Sequence, residues 1–134
     1  MVSGELPLSA KNFKDLRVWQ NGMLLAAEVY QITKILPQEE RYGLTTQMRR
    51  ACVSVPSNIA EGHTRHSTAD FIAFLNISIG SLNELETQTL LCENLGLLTP
   101  DKTHKAKELM AALHRSLRSL RTALQNKRKM VHYE

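Results

Sequence analysis

The residues best suited to chemistry are cations. Between Lys102 and Lys129 lie nine basic residues, Lys102, Lys105, Lys107, Arg115, Arg118, Arg121, Lys127, Arg128 and Lys129, against one acid, Glu108, so this segment carries +8. The stretch from His66 to Asp101 reverses the balance: Asp70, Glu84, Glu86, Glu93 and Asp101 occur with no Lys or Arg, giving −5. A cluster of cations attracts a phosphate backbone and releases its condensed counterions, so the implied chemistry is salt-sensitive binding of RNA or DNA. The same charges have a competing internal use, because successive segments of opposite sign can pair between helices or between subunits.

Other constellations are weaker. At helical spacing Arg50, Ser54, Ser57 and Glu61 share one polar line. The expected role of that line is structural: Arg50, Asn58 and Glu61 packed with Glu84 or Glu86 of a later helix, the Arg50 pair being buried and fixing alignment more than adding stability. Glu61, His63 and His66 are of types that bind cations, but no third ligand follows at a recognisable spacing, so they read as solvated linker residues and no metal is expected. His104, His114 and His132 are scattered along the basic segment. Neither G-x-G-x-x-G nor a P-loop occurs, and "GSLNELE" is not one. No nucleophile, base and orienting group are identifiable together, so neither an enzyme nor a cofactor is expected. With aromatics at 5 % and no reader motif, sequence-specific recognition is not expected either.

These residues need a scaffold. The chain has 134 residues, enough for one domain with one core. Its apolar residues are mainly Leu, Ala and Ile, which favours an all-α fold. No apolar run approaches the roughly 18 residues of a membrane span, and "MVSGELPLSAKNF" lacks the pattern of a signal peptide, so a soluble cytoplasmic protein is expected. Cys52 and Cys92 fall in apolar stripes and read as reduced core thiols.

Start and stop signals divide the chain into four helices. The first, about 13–36, is capped by Asn12, has Asp15 in its first turn, and carries the stripe Leu16, Trp19, Met23, Ala26/Ala27, Tyr30, Thr33. Pro37 ends it. The second, about 40–62, carries Leu44, Met48, Ala51/Cys52, Val55 and Ile59 straight through Pro56 without losing phase, which favours one kinked helix, with Gly62 as a left-handed terminus. Ser67 and Asp70 cap the third, about 68–95, with Phe71, Leu75, Ser78, Leu82, Leu85, Thr89 and Cys92 inward. Gly96, Thr99 and Pro100 mark a tight turn into the fourth, about 100–126, with Ala106, Leu109, Leu113, Leu117, Leu120 and Leu124 inward. Residues 127–134 read as a frayed basic tail. Such short connections predict an antiparallel up-down-up-down four-helix bundle.

Interior proline costs a helix about 3 kcal/mol. Ser54, Ser57 and Asn58 stand ready to satisfy the backbone groups it frees. Val53, Pro56 and Ala60 form a second apolar line beside the core stripe, so this helix is apolar on two sides and is expected to meet a neighbouring subunit through them.

The segments "FKDLRVWQNG", "RRACVSVPSNIAEG", "GSLNELET" and "LGLL" resemble the bacterial family encoded in intervening sequences of 23S ribosomal RNA genes, over roughly Phe13 to Leu98. The resemblance implies a four-helix bundle that assembles as a homopentamer, with no established enzymatic activity. It also implies a fold similar to the accessory variability protein of diversity-generating retroelements, a basic pentamer that partners a reverse transcriptase and handles nucleic acid. The family pattern falls on Arg50, Pro56, Asn58, Glu61, Gly62, Gly80, Ser81, Glu84 and Glu86, and none of these is a known catalytic residue. Gly22 departs from the alanine more usual there, at about 1 kcal/mol of helix propensity; the fourth helix matches only loosely.

The expected function is therefore non-enzymatic: a homo-oligomer that binds RNA or DNA without sequence specificity through Lys105, Lys107, Arg115, Arg118, Arg121, Lys127, Arg128 and Lys129. The alternative is a scaffold or accessory subunit of a nucleic-acid enzyme such as a reverse transcriptase.

Overall fold

The structure, a computed structural model, describes residues 12–133, the last three by backbone alone. The leaderless reading of the first eleven residues and the side chain of His132 lie outside the described residues. Within them the chain forms four α-helices and no strand: α1 Arg17–Thr33, α2 Leu44–His63, α3 Thr68–Asn94 and α4 Pro100–Tyr133. Single 3-10 turns occupy Phe13–Asp15 and Gln38–Glu40.

Local chemistry sets the boundaries. Asn12 caps a 3-10 turn rather than α1 itself, its side chain accepting from the Lys14 amide at 2.9 Å, and extended Leu16 separates that turn from the helix. Glu40 accepts from the Leu44 amide at 3.1 Å, which moves the start of α2 from the expected residue 40 to 44. Ser67 accepts from the Asp70 amide at 3.0 Å and opens α3 as expected. At the far end Gly96, with φ +72°, donates to the Glu93 carbonyl while Leu97 donates to Cys92. This paired closure satisfies two carbonyls that would otherwise be orphaned, and it needs glycine at the left-handed position.

Side-chain packing runs in a closed order, α1 on α2, α2 on α3, α3 on α4 and α4 on α1. Contacts pair rising numbers with falling ones: Gly22 with Pro56 and Tyr30 with Arg49, then Gly62 with Phe71 and Ser54 with Ser81, then Glu93 with Lys107 and Asn76 with Arg121. The stripes expected of α2, α3 and α4 point inward, Leu44 and Leu109 at the core's margin and the rest buried. Ile72, Ile79, Gln88, Thr103 and Met110 join them.

The first helix requires a correction. Val18, Gly22, Leu25, Val29 and Ile32 are its buried residues, together with Thr33. Met23 and Tyr30 are 47 % and 40 % exposed, while Trp19 and Ala26 sit partly buried at the core's edge. The helix carries two apolar stripes about a quarter-turn apart, and packing against α2 selects the one that contains Gly22.

That glycine also explains the proline. Pro56 lies inside α2 and is buried, and a Cβ on Gly22 would stand 3.3 Å from Pro56 Cβ. The proline ring therefore packs within the chain and is not available to a neighbouring subunit, contrary to expectation. Around it, Asn58 Nδ2 donates to the Ser54 carbonyl at 2.8 Å and Ser78 donates to the Val55 carbonyl at 2.9 Å. Gly62 is not left-handed: it is helical and buried, where a Cβ would come within 2.7 Å of Phe74 Cβ.

The C-terminal segment is also corrected. It continues α4 in helical form to Tyr133, and from Gln125 to Met130 every residue is exposed. Leu124 is the last buried residue before a basic helical arm.

Candidate nucleic-acid interface

Eight of the nine Lys and Arg residues of α4 fall into two groups, and the ninth, Lys102, is exposed in its first turn. Three turn toward neighbouring helices. Lys105 Nζ lies 3.7 Å from Glu28 of α1. Lys107 Nζ lies 2.8 Å from Glu93 of α3, and the buried Thr103 hydroxyl donates to the same carboxylate oxygen at 2.5 Å. The Lys107 ammonium, followed by the Thr103 hydroxyl, holds Glu93 below the usual carboxylate range. Arg121 Nη1 donates to Asn76 Oδ1 at 2.9 Å. The internal pairing of the +8 and −5 segments is thus realised in Lys107 and Glu93, which join α4 to α3, while Lys105 reaches Glu28 of α1 outside the acidic segment.

The second group consists of Arg115, Arg118, Lys127, Arg128 and Lys129. All five are exposed, and none enters an ion pair among the described residues. Lys127, Arg128 and Lys129 are consecutive, so at 100° per residue their charges point around the arm rather than along one face.

His114 stands beside this group. Burial pushes its imidazole below its ordinary value, Glu86 opposes that shift and Arg118 adds to it. The shift favours the neutral ring over an ion pair with Glu86, 3.9 Å away. Its Nδ1 is buried without a partner among the described residues, as is Gln88 Oε1.

The polar network expected around Arg50 assembles differently. Ser54 and Ser81 share a 2.8 Å hydrogen bond across α2 and α3, and Asn58 Nδ2 reaches Ser54 Oγ at 2.9 Å. Arg50 and Glu84 are both exposed and form no ion pair among the described residues, so the expected buried pair is absent from the subunit. Glu61 pairs with Arg65 one turn on, at 2.9 Å. His63 meets Phe71 edge-on at 5.8 Å, and His66 is exposed. Short hydroxyl side chains reach across the α2/α3 seam, with Asn58 bracing Ser54 from within α2, where the longer charged ones turn to solvent.

One residue absent from the expectations stands out. Arg49 Nε donates to Thr33 Oγ1 at 2.9 Å, and its guanidinium lies 4.5 Å from the centre of the Tyr30 ring. Arg49, Arg50, Tyr30, Thr46, Val53 and Ser54 line an open groove of about 530 Å³ between α1 and α2. Its neighbour Arg50 draws notice in the sequence, but the partners that fix Arg49 lie on another helix, and no spacing within α2 reveals them.

Beside the groove, Val53 is 44 % exposed and Ala60 is partly buried. With Met23 and Tyr30 of α1 they form an apolar flank across both helices, so Val53 and Ala60 retain the outward placement expected of them.

The two cysteines are free and buried. Burial pushes the Cys52 thiol up to about 11, against a smaller opposing effect of Arg49, and likewise raises Cys92, whose thiol lies 3.7 Å from Met48 Sδ. Neither is a reactive thiolate at neutral pH. No described helix is long and apolar enough to cross a membrane.

Comparison with known proteins gives a consistent picture. A family model described as 23S rRNA-intervening sequence protein matches residues 14–119. A crystal structure of a protein of unknown function from the S23 ribosomal protein family of Bacteroides thetaiotaomicron superposes with a TM-score of 0.71 at 25 % identity, covering 77 % of this chain and 96 % of that one. No curated protein matches.

Proposed function

Because the chain belongs to the 23S rRNA-intervening sequence protein family, we propose that it is a non-enzymatic, homo-oligomeric protein that binds RNA or DNA without sequence specificity. The observation that carries this reading is a set of cations on α4, beyond its first turn, that are unpaired among the described residues: Arg115, Arg118, Lys127, Arg128 and Lys129. Lys105, Lys107 and Arg121 drop to supporting positions, because their charges are already directed at other helices. The subunit is an antiparallel up-down-up-down bundle, supported by the counter-running contacts of successive helices. Assembly, as a pentamer by family resemblance, repeats each cationic group around a ring, and counterion release then grows with the number of phosphates met. The cytoplasm is the compartment this function implies.

The interface between subunits involves Val53 and Ala60, with Met23 completing the apolar flank. A second reading, an accessory subunit for a nucleic-acid enzyme such as a reverse transcriptase, uses the same oligomer with the cations directed at a protein partner.

Binding of labelled RNA at several salt concentrations tests the choice. Arg115→Glu with Arg118→Glu is expected to abolish binding while leaving the circular dichroism spectrum unchanged. Unchanged affinity would reject the α4 surface. A wild-type oligomer that ignores RNA would favour the accessory reading.

A further inference from the structure

The Arg49 guanidinium is oriented before any ligand arrives. Its Nε is bonded to Thr33 Oγ1, and Thr33 is itself buried, donating to the Val29 carbonyl at 2.7 Å. The guanidinium carbon lies over the Tyr30 ring, 4.5 Å from its centre, and Nη2 donates to the Tyr30 carbonyl at 3.5 Å. Arg49 lines the open groove between α1 and α2, and the ordering that a free arginine would require on binding has already been done by the fold.

The surroundings narrow the class of that group. The groove of about 530 Å³ is lined by two arginines, the hydroxyl-bearing Thr46 and Ser54, Tyr30 and Val53, and by no carboxylate. Neither arginine enters an ion pair among the described residues. Thr46 donates its proton to the Arg41 carbonyl, so its oxygen retains lone pairs that can accept from an amino group. Two uncompensated cations and a planar stacking surface suit a ligand that is anionic at one end and flat at the other; Val53 is the lining residue shared with the proposed subunit interface. The volume is within the range of small-ligand sites.

We propose that this groove takes one nucleotide of a single-stranded nucleic acid, its base stacked on Arg49 and its phosphate paired with Arg50. Guanidinium planes are stacking platforms for unpaired bases, and the contact tolerates any base because each presents a π-face. A duplex holds its bases within its own stack and offers the groove only phosphates. The inference rests on the nucleic-acid reading above and adds a preference to it: α4 supplies attraction indifferent to strandedness, and the α1/α2 groove supplies preference for unpaired strands.

The test uses fluorescence anisotropy of the full chain with a labelled single-stranded hexanucleotide and with a duplex of matching sequence. Arg49→Lys keeps the charge and removes the plane. It is expected to weaken single-strand binding about tenfold, as loss of one stacked base should, while duplex affinity and the salt dependence stay within about twofold of wild type. Arg50→Gln, at an exposed position with no internal bond to disturb, is expected to weaken single-strand binding as well. Thermal melts establish that both variants fold.

If both variants bind single strands as wild type does while Arg115→Glu with Arg118→Glu abolishes binding, the groove assignment is overturned and the α4 reading stands. Equal losses on single strands and duplex would overturn the stacking assignment in the same way. Wild-type protein that binds neither probe would remove the nucleic-acid reading and this inference with it. A drop in oligomer mass for Arg50→Gln with single-strand affinity intact would make the groove a subunit contact and overturn the proposal.

Discussion

Gly22 and Pro56 meet across α1 and α2 so closely that a Cβ on the glycine would stand 3.3 Å from the proline Cβ and 3.6 Å from its Cα. Each residue is a poor helix former, yet the absent side chain of one makes room for the ring of the other. The glycine's propensity loss of about 1 kcal/mol sits opposite a buried ring that packs along its length.

Glycine substitutions should separate two kinds of close approach. Gly62→Ala places a methyl 2.7 Å from Phe74 Cβ and 2.9 Å from Phe71 Cδ1, whereas Gly22→Ala meets Pro56 at 3.3 Å. Gly62→Ala is expected to cost about 1–3 kcal/mol despite the better helix propensity of alanine, and Gly22→Ala distinctly less. Urea denaturation gives both values, and an equal or reversed order would contradict the packing described.

The buried thiol predicts an alkaline weakness. Cys52 is held up to about 11 in the folded chain against an ordinary value of 9.0. The unfolded chain therefore loses this proton first as pH rises. The associated stability is fully present below about pH 9 and declines toward pH 11. Unfolding free energies measured across this window should fall more steeply for wild type than for Cys52→Ala. Parallel slopes would show that Cys52 makes no contribution.

Val53→Glu tests the apolar flank. The side chain is outward, so the subunit should keep its helical spectrum, while an interface built on Val53 cannot bury an unpaired carboxylate. Light-scattering mass is expected to fall to the 15.2 kDa of one chain. An undiminished mass would place the interface elsewhere.

The arm can be removed without touching the core. Ending the chain at Asn126 deletes Lys127, Arg128 and Lys129 but no buried described residue. The melting temperature should change by no more than about a degree or two, since exposed substitutions usually lie within about 0.5 kcal/mol. The salt dependence of RNA binding should become shallower by up to about two in its logarithmic slope, at about 0.7 for each single-strand phosphate no longer neutralised. A large loss of stability would mean that the arm packs on the bundle.

Legibility follows the number of apolar stripes per helix. In α4 the leucines repeat on one side only, so phase and burial coincide. In α1 the largest apolar side chains, Trp19, Met23 and Tyr30, lie outward of the true core line through Gly22, Leu25 and Val29, and size is a misleading guide. Gly22 reads as a defect in the sequence because its value depends on Pro56, thirty-four positions away. The basic surface is visible as charge, yet which cations are free depends on Glu28, Asn76 and Glu93, whose positions only packing supplies. Arg49 escapes notice for the same reason: Thr33 and Tyr30 belong to another helix.

The neighbouring α3 and α4 differ in charge as well as in place. The stretch from His66 to Asp101 contains no Lys or Arg, while α4 continues past the core into its basic arm. The subunit is therefore electrically lopsided, with a permanent dipole across its width and an additional positive end. In the field of a polyanion such a body experiences torque before it experiences contact, and it turns its arm foremost while still short of collision at low salt, where screening is weakest. For such a subunit, orientation begins during approach, ahead of contact.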